Sequence, residues 1–149
     1  MTGPRLAVRA VTVAAGRLLL VNAYPGDASD LWCAPGGGAE RGASLEANLR
    51  REVAEETGLE VLPGRLLAVT EFMNPATGFH QVELYFRAPL ADPAAAATLR
   101  DPEGVVNRLR WAAPDQLASL RFKPDCLPRI AFGPDAPVVH EPLELMAPP

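Results

Sequence analysis

The segment Leu31 to Leu59 constrains the fold more than any other part of the chain. A short apolar run, Leu31 to Ala34, stops at Pro35 and passes through Gly36-Gly37-Gly38 into a helix with both ends written in the sequence. Ser44 is a good N-cap, Glu46 places negative charge in the first turn and Gly58 supplies the stop, so the helix is expected at about Leu45 to Thr57. The three glycines sit between a strand and that helix. Bare backbone there can turn sharply or approach a phosphate closely.

On the helix, Glu52, Glu55 and Glu56 stand at i, i+3 and i+4 and cluster on one side. Leu45, Leu49 and Val53 form an apolar stripe, and at about 100° per residue Glu52 and Glu56 point within roughly 60° of Leu49. The acids therefore border the buried face. Exposed like-charge pairs at this spacing cost about 0.2 to 0.5 kcal/mol, but an ionised carboxylate taken out of water costs far more. Arg51, four residues before Glu55, offsets part of that charge and cannot coordinate all three. A divalent cation can, and all-oxygen ligation suits a hard ion, Mg²⁺ or Mn²⁺.

The rest of the chain supplies strands around this helix. Leu6 to Val13 and Arg17 to Ala23 read as a hairpin about Ala15-Gly16, and Tyr24 to Asp30 has a loop composition. Leu59 to Phe72 holds apolar runs on both sides of Pro63-Gly64, and His80 to Ala88 alternates as a strand. Beyond it, Asp92 to Pro102 is Ala-rich with weak helical promise, and Val105 to Trp111 is strand-like. Asp115 to Leu120 and Asp125 to Phe132 read as short helices. Strands, one central helix, more strands and a helical end make an α/β fold on a mixed sheet. With 149 residues and no composition shift or repeat, one domain is expected over 1-132, followed by a Pro-rich tail over 133-149 that wraps or hangs loose.

Composition removes several function classes. The formal charge of −4, with basic residues scattered, argues against a nucleic-acid partner. Met1 to Arg5 lacks a signal-peptide layout, and Arg9 and Arg17 break the apolar stretch from Leu6 to Ala23, so neither secretion nor a membrane span is indicated. Cys33 and Cys126 are far apart and have no metal-like companions, which makes the cytoplasm the expected location.

Taken together, the segment resembles the signature of the Nudix hydrolases: G, five residues, E, seven residues, then R-E-U-x-E-E-x-G-U with U a bulky aliphatic residue. Here it runs over 23 residues from Gly37 through Arg51, Glu52, Val53, Glu55, Glu56 and Gly58 to Leu59, with every spacing kept. One position departs: Ala43 stands where the family has its first glutamate, and Glu40 is out of register to replace it. In the family that glutamate is mainly a partner of the motif arginine, so the departure bears on how Arg51 is anchored. The resemblance implies an α/β/α sandwich and a Mg²⁺-dependent pyrophosphohydrolase (Mn²⁺ as the alternative ion) that cleaves a phosphoanhydride of a small nucleoside diphosphate derivative or a nucleoside triphosphate.

On that resemblance Glu52, Glu55 and Glu56 hold the metal and carry catalysis, Gly36, Gly37 and Gly38 contact substrate, and Arg51 and Gly58 are structural. A base is also needed: either a motif glutamate or a later one, Glu103 in the loop Asp101-Pro102-Glu103-Gly104, or Glu83. The second reading is a Nudix-fold module that binds a nucleotide without cutting it, and Ala43 is its support.

Other residues carry weaker signals. Cys33 lies on an apolar strand with no basic neighbour in sequence to activate it and reads as a small buried hydrophobe. Trp32, Tyr24, Phe72, Phe79 and Tyr85 are stacking candidates that serve equally as core. His80 reads as a loop-edge residue and His140 carries no signal. The apolar N-terminal strands are suited to pairing across a homodimer.

Overall fold

The computed structural model describes residues 3–99 and 101–149. In chain order the elements are β1 (Arg5–Val11), β2 (Val13–Ala14), β3 (Arg17–Asn22), β4 (Leu31–Cys33), β5 (Gly36–Gly38), α1 (Leu45–Thr57), β6 (Leu66–Asn74) and β7 (Phe79–Arg87). They continue with β8 (Leu109–Ala112), α2 (Pro114–Ala118), β9 (Arg121–Phe122), α3 (Leu127–Phe132), β10 (Val139–His140) and β11 (Glu144–Leu145). The mixed α/β sandwich is present, and its strands are divided between two sheets. One sheet runs β10-β6-β7-β1-β5, with β11 also on β6; the other runs β2-β3-β4-β9, with β8 on β3.

β1 explains the division. Ala7, Val8, Ala10 and Val11 are all fully buried, so from Ala7 onward the strand is covered on both faces, and it has neighbours on both edges. It pairs in parallel with β7 and antiparallel with β5, where the expected hairpin had it pairing with Arg17 to Ala23. The hairpin itself shrinks to β2 and β3, joined by Ala15 and Gly16, both at positive φ (50° and 73°), as a two-residue hairpin turn needs. At Thr12 the chain changes sheets, and the buried Thr12 hydroxyl donates to the Ala88 carbonyl at 2.6 Å.

The glycine run corrects the sequence reading more sharply. Gly36 to Gly38 is the edge strand β5, in register with Arg9, Val8 and Ala7 of β1. Glycine is a poor strand former, but here β1 lies so close that a Cβ on Gly36 would sit 2.9 Å from the Arg9 Cα. Gly36 permits close backbone approach, and Gly37 and Gly38 leave room for the Glu52 and Arg5 side chains; none of the three serves a turn.

Two hydrophobic cores lie on opposite faces, and β3 serves both. Leu18 and Leu20 face the core under α2 and α3 with Leu117, Leu127 and Ile130, whereas Leu19 faces the core under α1 with Leu49, Val53 and Val8. The central helix has its expected bounds. Ser44 Oγ accepts from the Ala47 N–H at 3.0 Å, and Gly58, at φ 69°, donates its N–H to the Ala54 carbonyl.

Residues 92–99 and 101–102 carry no helix, Arg100 lying outside the described residues, and the expected strand at Val105 begins only at Leu109. The Pro-rich tail contributes β10 and β11, both parallel to β6. Among the described residues no helix is long and apolar enough to cross a membrane.

Candidate functional site

A cleft of about 630 Å³ opens where α1, β5, β1 and the loop 101–106 meet. Its lining brings together Gly36, Gly37, Gly38, Arg51, Glu52, Glu55, Glu56 and Glu103 of the residues singled out in the sequence; Gly58, which closes the helix, and Glu83 lie outside it. The helix places Glu52 and Glu56 against β5. A Cβ on Gly37 would overlap the Glu52 carboxylate, and the Gly36 N–H donates to Glu56 Oε2 at 3.3 Å. Glu55 is more open, 4.0 Å from the Arg51 guanidinium.

Burial sets the electrostatics of the two inner acids. Glu56 is only 8% exposed, and desolvation pushes its carboxyl up to about 8 against the pull of nearby Arg9 and the Gly36 N–H. Glu52 is raised for the same first reason, with the Arg51 guanidinium opposing and Glu55 reinforcing. The side chains line one cavity without converging: among the described residues no three His, Cys, Asp or Glu groups form a compact metal cluster. Glu52 leans on Arg51 at 3.2 Å and Glu56 on Gly36. Their chemistry nonetheless fits a hard divalent cation, since all three offer anionic oxygen and the two inner ones are poorly compensated.

Arg51 is held despite Ala43. Its Nη2 donates to Asn48 Oδ1 at 2.6 Å, and its Nη1 is 3.4 Å from Glu40. Glu40, out of register in the motif, thus reaches the arginine from three residues upstream. Asn48 is 1% exposed; its Oδ1 also accepts from the Glu40 N–H, and its Nδ2 donates to the Ala43 and Ser44 carbonyls. One amide fastens the loop to the helix and orients Arg51.

Three further residues of the cleft escaped the sequence reading. Arg9, in sequence an interruption of an apolar run, is partly buried and paired with Glu83 at 2.5 Å; desolvation works to lower its pKa, but Glu83 and weaker neighbours outweigh that and raise it. Asp101 accepts from the Glu103 and Val106 N–H groups and so shapes the loop that carries Glu103. Asn22 accepts from the Asn107 and Arg108 N–H groups and donates to the Val105 carbonyl, tying that loop to β3. Arg5 and Arg9, four apart on β1, share parity, and that spacing was the available signal.

Of the other candidates only Cys33 lines the cleft. Glu83 is interior, its oxygens engaged by Arg9, Gln81 and Tyr85. Cys33 does have a basic neighbour, Arg9, but burial dominates and pushes the thiol up to about 12. Tyr85 is core, Phe72 packs tilted against Phe79 with centroids 6.0 Å apart, and Arg108 stacks 5.5 Å over Trp32. His80 pairs with Glu71 at 2.6 Å, and His140 is exposed on β10.

Comparison with known proteins identifies the fold and the family. A crystal structure of a UDP-X diphosphatase superposes with a TM-score of 0.71 at 25% identity, covering 93% of this chain and 68% of that one. A MutT NUDIX hydrolase from Burkholderia pseudomallei gives 0.66 at 26% identity, covering 77% of this chain and 87% of the other. A Bacillus subtilis (strain 168) protein named "Putative ADP-ribose pyrophosphatase YjhB" is 30% identical over 92 residues, 60% of this chain; the match spans only 43% of that relative's length. The NUDIX domain itself matches residues 3–130, from before β1 into α3, and the chain belongs to the Nudix family.

Proposed function

We propose that the chain is a Mg²⁺-dependent pyrophosphohydrolase that cleaves the phosphoanhydride of a small nucleoside diphosphate derivative. The observation that carries this reading is the packing of half-buried Glu52 and buried Glu56 against bare glycine backbone at one wall of a polar cleft. Relatives named for UDP-X and ADP-ribose support the substrate class.

Glu52, Glu55 and Glu56 would hold the ion, with Mn²⁺ as its alternative. When bound, such an ion neutralises phosphate oxygens, lowers the pKa of water and steadies the leaving phosphate. The chain's own groups do the rest. Gly36, Gly37 and Gly38 would offer bare backbone to phosphate oxygens at the cleft wall, and Arg5 and Arg9 of the neighbouring β1 add positive charge. Arg51 holds Glu52 in place. We assign to Glu103, on a loop held by Asp101 at the cleft, the proton of the attacking water. Both cysteines are free, which suits the cytoplasm.

The test is phosphate or nucleotide release from a panel of sugar nucleotides, dinucleotides, ADP-ribose and nucleoside triphosphates, with and without Mg²⁺. Glu52→Gln and Glu56→Gln are expected to lower turnover on the order of a hundredfold or more. Equal turnover in all three proteins removes the assignment, and nucleotide binding without product over long incubation favours the non-catalytic module.

A further inference from the structure

A second cavity, of about 100 Å³, adjoins the acidic cleft, and Ala23, Arg9 and Cys33 line both. The two spaces meet across those residues. Their materials differ. The cleft is walled by carboxylates, guanidinium groups and bare backbone, whereas the smaller cavity has the aromatic Tyr24, Phe72 and Tyr85, the apolar Leu31, Thr70, and charged groups that pair with one another, Arg9 with Glu83 and Lys123 with Glu144. Such a mixture suits a flat ring system with polar edges, the kind of group a diphosphate carries when its charged part lies next door.

One wall of this cavity comes from outside the matched domain. Glu144, Leu145, Met146 and Ala147 contribute to the lining, and the family match ends at residue 130. The tail reaches the cavity because β11 runs parallel to β6, with Glu144 beside Phe72 and Leu145 beside Met73, and the Met146 N–H donates to the Met73 carbonyl at 2.9 Å. Strand alternation turns Glu144 and Met146 inward and leaves Leu145 68% exposed.

The same few residues are tied to the opposite sheet. Glu144 meets Lys123 at 3.1 Å, the Tyr24 hydroxyl donates to the Ala147 carbonyl, and Arg121 donates to the Pro148 carbonyl. The tail therefore clasps β6 of one sheet to β9 and the Tyr24 loop of the other, across the mouth of the cavity. A loose terminus has no such paired attachments.

We infer that Glu144 to Ala147 is a specificity wall of the hydrolase site: Met146 and its neighbours close the subsite for the planar group of the substrate and set which ring fits. This rests on the pyrophosphohydrolase reading for the identity of the substrate, but its test does not need turnover. AMP and UMP contain no phosphoanhydride, so calorimetry with Mg²⁺ present reads binding alone. Met146→Trp, which fills the space, is expected to weaken both nucleotides tenfold or more. Met146→Ala, which enlarges it, is expected to change the AMP-to-UMP affinity ratio threefold or more. Both variants should keep the Mg²⁺-dependent rise in melting temperature, which shows that the fold and the cleft survive. Unchanged affinities and ratio in both variants overturn the inference, as does the absence of measurable binding of either nucleotide to the wild-type chain. If the chain hydrolyses its substrate and Glu52→Gln stops it while the Met146 variants bind as wild type, only the wall falls; if nucleotides bind through Met146 and nothing is hydrolysed, only the pyrophosphohydrolase reading falls.

Discussion

The acidic cleft and the mostly apolar cavity share Arg9, Ala23 and Cys33 and are otherwise built by opposite rules. In the cleft, carboxylates are buried with too little positive charge, so the bare protein is under electrostatic load there. In the cavity, the buried acid Glu83 is fully engaged by Arg9, Gln81 and Tyr85, and the remaining surface is mostly apolar. A region that is satisfied on its own is a shape for a ligand; a region that is unsatisfied is a demand for one.

The largest effect concerns proton linkage at Glu56. Its carboxyl, ordinarily near 4.5, sits at about 8 in the folded chain, with burial as the first cause. Below 4.5 both the folded and unfolded states carry the proton and the group costs nothing. As pH rises towards 8 the unfolded chain releases the proton while the folded chain keeps it, so stability is lost, with a slope approaching 1.4 kcal/mol per pH unit. Urea unfolding in chelator should therefore show stability falling from pH 5 to pH 8 in the wild type, and a flatter profile in Glu56→Gln. Identical profiles would mean that the cleft is as well satisfied as the cavity. Cys33→Ala, which removes a thiol neutral in both states up to pH 8, should leave the profile as it is.

Next come the glycines of β5, which separate fold from site. Gly36 has φ 151° and β1 backbone against the place its Cβ would take, so Gly36→Ala should cost about 3 kcal/mol or more. At Gly37 the obstacle is the far end of the Glu52 side chain, which can swing aside. Gly37→Ala should thus leave stability nearly intact and reduce Mg²⁺ affinity. Equal destabilisation by both substitutions would show that β5 serves packing alone.

These contrasts also explain what could be read from the chain. The cleft's acids, its glycines and Arg51 fall within one local segment whose spacing, caps and stripe are all short-range, so the helix and its cluster were legible. Arg9 meets Glu83 only because β1 lies in parallel register beside β7, 74 residues away in sequence. Asn22 holds the Glu103 loop across 85 residues, and the tail reaches Tyr24 across 123. No periodicity within a window of 10 or 20 residues carries such pairings. Glycine propensity misled for a related reason: the extended state of β5 is imposed by the neighbouring strand.

A third test asks whether the load in the cleft is relieved by a cation. At a hundred times the dissociation constant, an ion that binds only the folded state stabilises it by about 2.7 kcal/mol, a rise in melting temperature on the order of 5 to 10 °C. Mg²⁺ or Mn²⁺ should produce this in the wild type, Glu52→Gln should lose most of it, and Met146→Ala should keep it. A rise that survives in Glu52→Gln would place the ion elsewhere.

The smallest effect probes how the chain manages with Ala43. Asn48 joins the Glu40 backbone, the Ala43 and Ser44 carbonyls and Arg51 through a single buried amide. Asn48→Ala leaves these groups short of partners at a cost of about 2 kcal/mol, and it frees Arg51 from its shortest contact. Asn48→Asp keeps the acceptor for Arg51 and gives it a negative charge, while losing the donors to the two carbonyls. If the amide matters through Arg51, the Asp variant should retain more Mg²⁺-dependent turnover than the Ala variant, even where urea unfolding finds the two equally unstable. If it matters only as a fastener of the loop, turnover should follow stability in both. Ala43→Glu separates the alternatives further: a carboxylate added beside Asn48 should rescue turnover in Asn48→Ala only if Arg51 had lost its anchor.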